Sequence, residues 1–294
     1  MSRSHSLRLI VNPRAGGGRA AHALPRVEAA LRSHGLAFRV ERTTGLDHAR
    51  ELARGAVAGH EVAVAMGGDG LTGAVAGELR STDGILGVLP GGRGNDFARK
   101  LGIPADPVAA CSTLAAGATR EIDVAEVGGR AYLGIASAGI DSDVQDIVNA
   151  TRLPLGRFVY LYGTLRALRS WRPARWELTL DGAPRAFDGY SVAVCNTGVY
   201  GGGMRLAPRA SLDDGRLDVV LTESTSRWRF LLNLPKVFRG SHVHEPTLHV
   251  LQAREVTFGA DRAFVIYADG DPIAELPATV RVLPGALRVL APVS

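Results

Sequence analysis

With 294 residues the chain is long for a single hydrophobic core and suits two domains. Hydrophobic residues at 46% and charged residues at 21% exclude a disordered or low-complexity chain. The formal charge of +5, carried mostly by arginine, suits anionic partners such as phosphates, acidic lipid or nucleic acid without choosing among them.

In chain order, Leu7–Val11, Val62–Ala65 and Ile85–Leu89 read as buried strands. Between the first two, Leu24, Val27 and Leu31 recur at helical spacing, as do Leu46, Ala49, Leu52, Ala53 and Ala56. Pro25 predicts that the first of these helices starts late or kinks. Asp106-Pro107 reads as the N-cap and first residue of a later helix that Gly117 closes. Such strand–helix alternation predicts an α/β domain, a parallel sheet with helices on its faces.

From about Gly128 the pattern changes. Trp176–Leu180 and Arg185–Tyr190 flank Asp181-Gly182 as a hairpin. Tyr190–Cys195, Leu217–Leu221, Val250–Phe258, Ala263–Ala268 and Thr279–Leu283 read as further strands, which predicts a mainly antiparallel second domain. Arg152–Arg175 and Ser226–Arg239 read as helical or irregular insertions within it. No apolar run nears the roughly 20 residues of a membrane span. Met1–Leu7 lacks a signal-peptide core, and Cys111 and Cys195 sit in apolar runs as small core residues, so a reducing, cytoplasmic setting is expected.

Three glycine-rich loops follow the three strands of the first domain, where open α/β sheets hold their ligands. They are Asn12-Pro13-Arg14-Ala15-Gly16-Gly17-Gly18-Arg19, Gly67-Gly68-Asp69-Gly70 and Pro90-Gly91-Gly92-Arg93-Gly94-Asn95-Asp96. Glycine lets backbone N–H groups turn onto an anion, and a helix after each loop adds its positive end. Arg14, Arg19 and Arg93 offer charge for phosphates, and Asp69 and Asp96 offer oxygen ligands for Mg²⁺. One such loop alone is an ordinary tight turn. Three on successive strands point to a phosphate cradle. It is neither a dinucleotide fingerprint, since no Gly-x-Gly-x-x-Gly follows the first strand, nor a Walker loop, since no Gly-Lys-Ser/Thr follows any of them.

Nearly end to end, the chain resembles the bacterial diacylglycerol kinase family of lipid kinases, relatives of sphingosine kinases and more distantly of NAD kinases. The likeness rests on Asn12-Pro13…Gly16, Gly67-Gly68-Asp69-Gly70, Leu89-Pro90…Gly94-Asn95-Asp96-Phe97-Ala98-Arg99…Leu101-Gly102-Ile103-Pro104 and Glu121-Ile122-Asp123. It continues through Asn196…Gly201-Gly202-Gly203, Pro208…Ala210…Asp213-Asp214-Gly215…Leu217-Asp218-Val219 and Asp269-Gly270-Asp271. The resemblance implies a Rossmann-like nucleotide-binding domain over residues 1–125 and a β-rich domain over 126–283. Residues 284–294 would return to the first domain, with the active site in the cleft between the two.

It further implies that ATP is held by Asn12, Pro13, Arg14, Ala15 and Gly16, by Thr43, and by Gly68, Asp69, Gly70, Leu71, Thr72, Gly73 and Ala74. Asp69, Asp96 and Asp123 would organise the catalytic Mg²⁺. A structural Mg²⁺ would take the Asp214 carboxylate and the backbone carbonyls of Ser211 and Arg216. Asp271 stands where the family usually has a Glu that takes the acceptor's hydroxyl proton. Two further positions depart from the pattern. Leu71, Gly73 and Ala74 stand where the family has Thr and then Asn-Glu, and Arg93 replaces a Thr and offers a bidentate grip on phosphate instead.

Diacylglycerol, or another lipid or polyketide-like alcohol, is the acceptor the resemblance implies. A kinase of a non-lipid alcohol, an NAD-kinase-like enzyme, and a non-catalytic nucleotide or lipid sensor are the rival readings. Arg152, Arg157, Arg166, Arg169, Arg172 and Arg175 interleave with Phe158, Tyr160, Tyr162, Trp171 and Trp176. A second stretch sets Arg227, Arg229, Lys236 and Arg239 among Trp228, Phe230, Leu231 and Leu232. Both suit an anionic membrane surface, and equally a solvated arginine face over core helices. No nucleic-acid module is present, and a homodimer stays open. His242 and His244, alternating in a loop or strand, read as plain surface residues and not as metal ligands.

Overall fold

The computed structural model describes residues 6–151 and 159–292. Arg152, Arg157 and Phe158 therefore lie outside the described residues, and the side chain of Tyr160 is not described either. The chain divides into two compact units, Met1–Val124 with Leu283–Ser294, and Ala125–Val282.

In the first unit β1 (Leu7–Val11), α1 (Arg19–Ser33), β2 (Phe38–Arg42), α2 (Leu46–Ala58), β3 (Val62–Gly67), α3 (Asp69–Leu79) and β4 (Ile85–Pro90) alternate. Then come α4 (Asp96–Lys100), α5 (Pro107–Ala116) and β5 (Thr119–Val127), which runs on into the second unit. The strands lie parallel in the order β4-β3-β1-β2. β1 and β3 are buried at every position, as strands covered by helices on both faces must be. Arg8 belongs to that buried run because its guanidinium lies 2.8 Å from Glu61 and 3.1 Å from the Leu52 carbonyl. Ala20, Leu24, Val27 and Leu31 bury one stripe of α1, which packs on α5, and Ala49, Ala53 and Ala56 are the buried residues of α2, which packs on α3 and the sheet.

Two sequence expectations meet this unit. Asp106 caps α5, accepting the Val108 N–H at 3.4 Å, and Gly117 closes it with φ 64°. Pro25 does not delay α1, which begins at Arg19 and carries the proline in its seventh position. Pro25 is exposed, so the carbonyl that loses its partner one turn earlier is open to hydration.

The second unit holds β6 (Arg130–Tyr132), β7 (Ile135–Gly139), α6 (Ile140–Ala150), α7 (Val159–Ser170), β8 (Ala174–Leu180) and β9 (Ala183–Cys195). It continues with β10 (Val199–Tyr200), β11 (Met204–Arg205), β12 (Leu217–Glu223), α8 (Arg227–Arg239), β13 (Leu248–Ala253), β14 (Glu255–Ala260), β15 (Val265–Ala268), β16 (Asp271–Glu275) and β17 (Ala278–Leu290). Its strand pairs are antiparallel. β9 serves two sets of partners: its first half pairs with β8, and its second half lies between β7 and β12. β17 begins beside β14, and its end returns to the first unit, where Arg288 and Val289 pair in parallel with Ile85 and Leu86. Trp176 anchors the core, fully buried and stacked on Phe264 at 5.2 Å, its Nε1–H donating to the Gly189 carbonyl at 3.2 Å.

The hairpin at Asp181-Gly182 is present, with Leu180 opposite Ala183. The single strand expected over Val250–Phe258 is in fact two, β13 on β12 and β14 on β8 and β17. The cause is distant in sequence: Asp181 Oδ1 accepts the N–H groups of both Arg254 and Glu255 at 2.9 Å and breaks the strand there. Cys111 and Cys195 are buried free thiols, as expected. His242 is not a surface residue. It is buried, with Nε2 3.0 Å from the Leu206 carbonyl, and burial pushes its pKa down.

Asp141, in the first turn of α6, carries a consequence for pH. Burial pushes its carboxyl up to about 6, against a Ser191 bond that favours the charged form. Its folded pKa lies above the unfolded one, so its contribution to stability is full below about pH 4 and is lost as pH rises through about 6. Asp141→Asn is expected to be more stable than the parent at pH 7.5, by up to about 3 kcal/mol, and no more stable at pH 4. Urea unfolding at the two pH values checks it.

Candidate functional site

Loops leave the C-terminal ends of the neighbouring strands β1, β3 and β4. After β1 the chain turns through Gly16, Gly17 and Gly18 at φ 62°, 73° and 94°, a run that residues with a Cβ do not make without strain. The Asn12 N–H reaches the Met66 carbonyl at 3.0 Å, and its Oδ1 accepts the Arg14 N–H at 3.0 Å. Buried Thr43, just past β2, donates its N–H to the Val11 carbonyl at 2.9 Å. In the third loop the N–H groups of Gly91 and Gly92 both reach the Gly67 carbonyl, at 2.8 and 2.9 Å. Asn95 closes that loop on Gly92, accepting its N–H at 2.9 Å and donating to its carbonyl at 3.1 Å.

Arg19 is placed differently from its sequence expectation. Its guanidinium donates to the Gly16 carbonyl at 3.2 Å and the Gly92 carbonyl at 2.6 Å, lacing the first loop to the third. The loops also touch backbone to backbone. A Cβ on Gly92 would stand 2.4 Å from Gly68 Cα, and one on Gly16 would stand 2.5 Å from the Gly91 carbonyl oxygen. Gly92→Ala must push the second and third loops apart, at roughly 1–3 kcal/mol for overpacking. We expect it to weaken binding of a non-hydrolysable triphosphate about tenfold or more, read by calorimetry, while the α/β unit stays folded.

The structure brings Asp69 and Asp96 together. A Cβ on Gly94 would stand 2.8 Å from Asp69 Oδ2 and 3.2 Å from Asp96 Oδ2, so both carboxylates border one small space. Asp69, in the first turn of α3, accepts the Phe97 N–H at 3.1 Å. Its pKa is raised, first by burial and then by the charge of Asp96, with the Phe97 bond opposing. Asp96 is ion-paired to Arg99, which also donates to the Gly94 carbonyl at 3.1 Å. Asp123 is buried on β5 and accepts the Gly285 N–H at 2.9 Å.

At the departures from the family pattern the side chains are accounted for. Leu71 is buried and packs toward Gly67, Thr72 turns its hydroxyl onto the Gly68 carbonyl at 3.2 Å, and Ala74 is buried. Gly70 and Gly73 lie partly exposed within α3, and Arg93 is exposed at the loop tip.

In the second unit Asp271 is exposed and begins β16. The turn before it is held by Asp269, which has φ 53° and accepts the N–H groups of Leu133 and Gly134 at 3.0 and 2.9 Å. In the loop from Ser211 to Arg216, Asp214 Oδ1 accepts the Arg216 N–H at 3.0 Å, and the Ser211 hydroxyl donates to Asp213 at 2.5 Å. Among the described residues no cluster of three or more His, Cys, Asp or Glu gathers for a metal, so a cation here would rest on few carboxylates, carbonyls and water, as Mg²⁺ does. Asn95, Arg99 and Asp269 stand in motifs that carry the resemblance but were given no role in the sequence. An Asp–x–x–Arg spacing and an Asp before Gly in a hairpin were the available signals.

Residues 6–127 match the model of the diacylglycerol kinase catalytic domain, and residues 134–291 match the YegS C-terminal NAD kinase beta sandwich-like domain. The chain is 36% identical over 292 residues to a diacylglycerol kinase of Mycobacterium tuberculosis, spanning 96% of this chain and 94% of that protein. It is 29% identical to a diacylglycerol kinase of Bacillus subtilis, over 97% and 96% of the two chains. A crystal structure of a diacylglycerol kinase from Bacillus anthracis str. Sterne shares the fold, with a TM-score of 0.77, 19% identity, and coverage of 99% of this chain and 98% of that one. With both units matched, and a full-length relative above 30% identity, the chain belongs to the diacylglycerol kinase family.

Proposed function

We propose that this chain is an ATP- and Mg²⁺-dependent kinase that transfers the γ-phosphoryl group to a lipid hydroxyl, diacylglycerol first, at a membrane surface. The observation that supports this most is the meeting of Asp69 and Asp96 beside Gly94, at strand ends lined with bare backbone. That arrangement sets the N-terminal end of α3, a donor site for phosphate, beside oxygen ligands for a divalent cation, which is what a metal–triphosphate needs. Asn12 to Gly16, Thr43 and Gly68 to Ala74 would hold the nucleotide, with Arg93 supplying a guanidinium in place of the missing hydroxyls. Asp69, Asp96 and Asp123 would organise Mg²⁺. When bound, Mg²⁺ neutralises the charge that develops on the phosphoryl oxygens.

Asp271 would accept the proton from the acceptor hydroxyl. Its side chain is one methylene shorter than the family's Glu, so the acceptor must come closer to it. The loop carrying Ser211, Asp214 and Arg216 would take a second, structural Mg²⁺ on one carboxylate and loop carbonyls.

One observation favours a second reading, a nucleotide or lipid sensor. Leu71 packs inward where the family has Thr, and Arg93 stands in place of another Thr, so two hydroxyl contacts to phosphate are missing. Incubation with γ-labelled ATP, Mg²⁺ and diacylglycerol in mixed micelles separates the two. Labelled phosphatidic acid, abolished by EDTA, is the expected product. Nucleotide binding with no transfer to any lipid or soluble alcohol would favour the sensor instead.

A further inference from the structure

Helix α8 is unusual because several of its large apolar residues face outward. None of its side chains is fully buried. Its inner side rests on the second unit's core through Phe230 and Leu231, with Phe230 tilted against Tyr190 at 4.9 Å. On the outer side Trp228 is 78% exposed, Leu232 72% and Phe238 55%, and exposed Pro235 continues the line. Positions 228, 232 and 235 fall at i, i+4 and i+7, a single stripe along the helix. Exposed hydrophobic side chains standing singly need no explanation, but a contiguous stripe marks a contact surface.

The charges around the stripe identify the contact. From Ser224 to His244 the chain has no acidic residue. Glu245 takes up Arg229 at 3.4 Å and Lys236 at 2.5 Å. Exposed Arg227 and Arg239 stand at the two ends of the helix, and exposed Arg205 and Arg209 lie near its last residues, where Arg205 and Pro208 approach Gly240. The surface is therefore an apolar strip with a net positive rim. An interfacial helix has this composition, with aromatic and aliphatic side chains toward the acyl region and arginines toward anionic headgroups.

We propose that α8 lies in the plane of an anionic bilayer, with Trp228 and Leu232 inserted below the headgroups and the arginine rim on their phosphates, which rests on the lipid-acceptor reading above. The same surface would serve a second copy of this chain less well, because two positive rims would meet.

Tryptophan fluorescence offers a direct test. Trp171 and Trp176 are buried, at 6% and 0% exposure, so a change on adding vesicles reports Trp228. With vesicles of phosphatidylcholine and 30% phosphatidylglycerol, the parent's emission should shift to the blue and the protein should co-sediment. With phosphatidylcholine alone, both effects should be at least tenfold weaker. Trp228→Ala with Leu232→Ala should lower partitioning about tenfold or more, and Arg239→Glu should lower it severalfold, most at low salt. Both variants should phosphorylate diacylglycerol in detergent micelles at the parental rate.

Variants that bind and act on anionic vesicles like the parent would overturn the assignment while leaving the kinase reading intact. Binding through α8 without phosphoryl transfer would do the reverse. A parental dimer that Trp228→Ala with Leu232→Ala converts to monomer, without loss of vesicle binding, would assign the stripe to self-association and also overturn it.

Discussion

Asp69→Asn is expected to cut turnover about 10³-fold or more, roughly 4 kcal/mol of transition-state stabilisation, and to leave the protein at least as stable as the parent. The pairing of those outcomes is what the structure makes specific. Asp69 is half-buried beside a second carboxylate, and its pKa is raised by desolvation first and by Asp96 after it. Its charged form therefore costs stability at neutral pH and is compensated only in part by the Phe97 N–H. Asparagine keeps an oxygen for that N–H and removes the repulsion, so melting should stay level or rise. A carboxylate held against its own preference is a common property of ligand and catalytic sites. The measurement is kcat at saturating ATP, Mg²⁺ and diacylglycerol, with thermal melting alongside. Activity within tenfold of the parent would remove Asp69 from the metal site. A collapse in melting temperature would make the residue structural instead.

Asp271→Asn should lower kcat by about 10²- to 10⁴-fold, the range for losing a positioned general base. Nucleotide affinity should stay within about twofold, because Asp271 lies in the second unit and the proposed nucleotide contacts lie in the first. Asparagine has the same shape, and the turn before it is set by Asp269 through the Leu133 and Gly134 N–H groups, so β16 should keep its register. Asp271→Glu restores the length the family usually carries and should hold at least parental activity. A proton acceptor is needed only for the chemical step, so the deficit should appear in kcat and not in ATP binding. If Asp271→Asn phosphorylates diacylglycerol at the parental rate, the proton leaves by another route.

Local features of the chain were legible before folding. The stripe Leu24, Val27, Leu31 lies on the buried side of α1, and Asp106-Pro107 opens α5. The Asp181-Gly182 hairpin forms as its turn residues require. Each of these depends on residues a few positions apart. What could not be read depends on residues far apart. Asp181 divides β13 from β14 from more than seventy residues away, within an apolar pattern that runs unbroken through the division. His242 looks like a surface histidine until Leu206 and the loops around it close over the ring.

The candidate site divides in the same way. Glycine-rich loops after three strands, with an aspartate in two of them, were determined by residue type, because glycine makes the left-handed run of the first loop and admits the close backbone approaches of the third. That Asp69 and Asp96 share one space, and that Arg19 is spent on Gly16 and Gly92, was decided by the parallel order of β1, β3 and β4. That order sets loops side by side whose distance along the chain says nothing of their distance in space. The outward face of α8 is a tertiary decision too. A helical stripe carries no label for inside or outside, and only the packing of Phe230 and Leu231 on the core leaves Trp228 and Leu232 to the solvent.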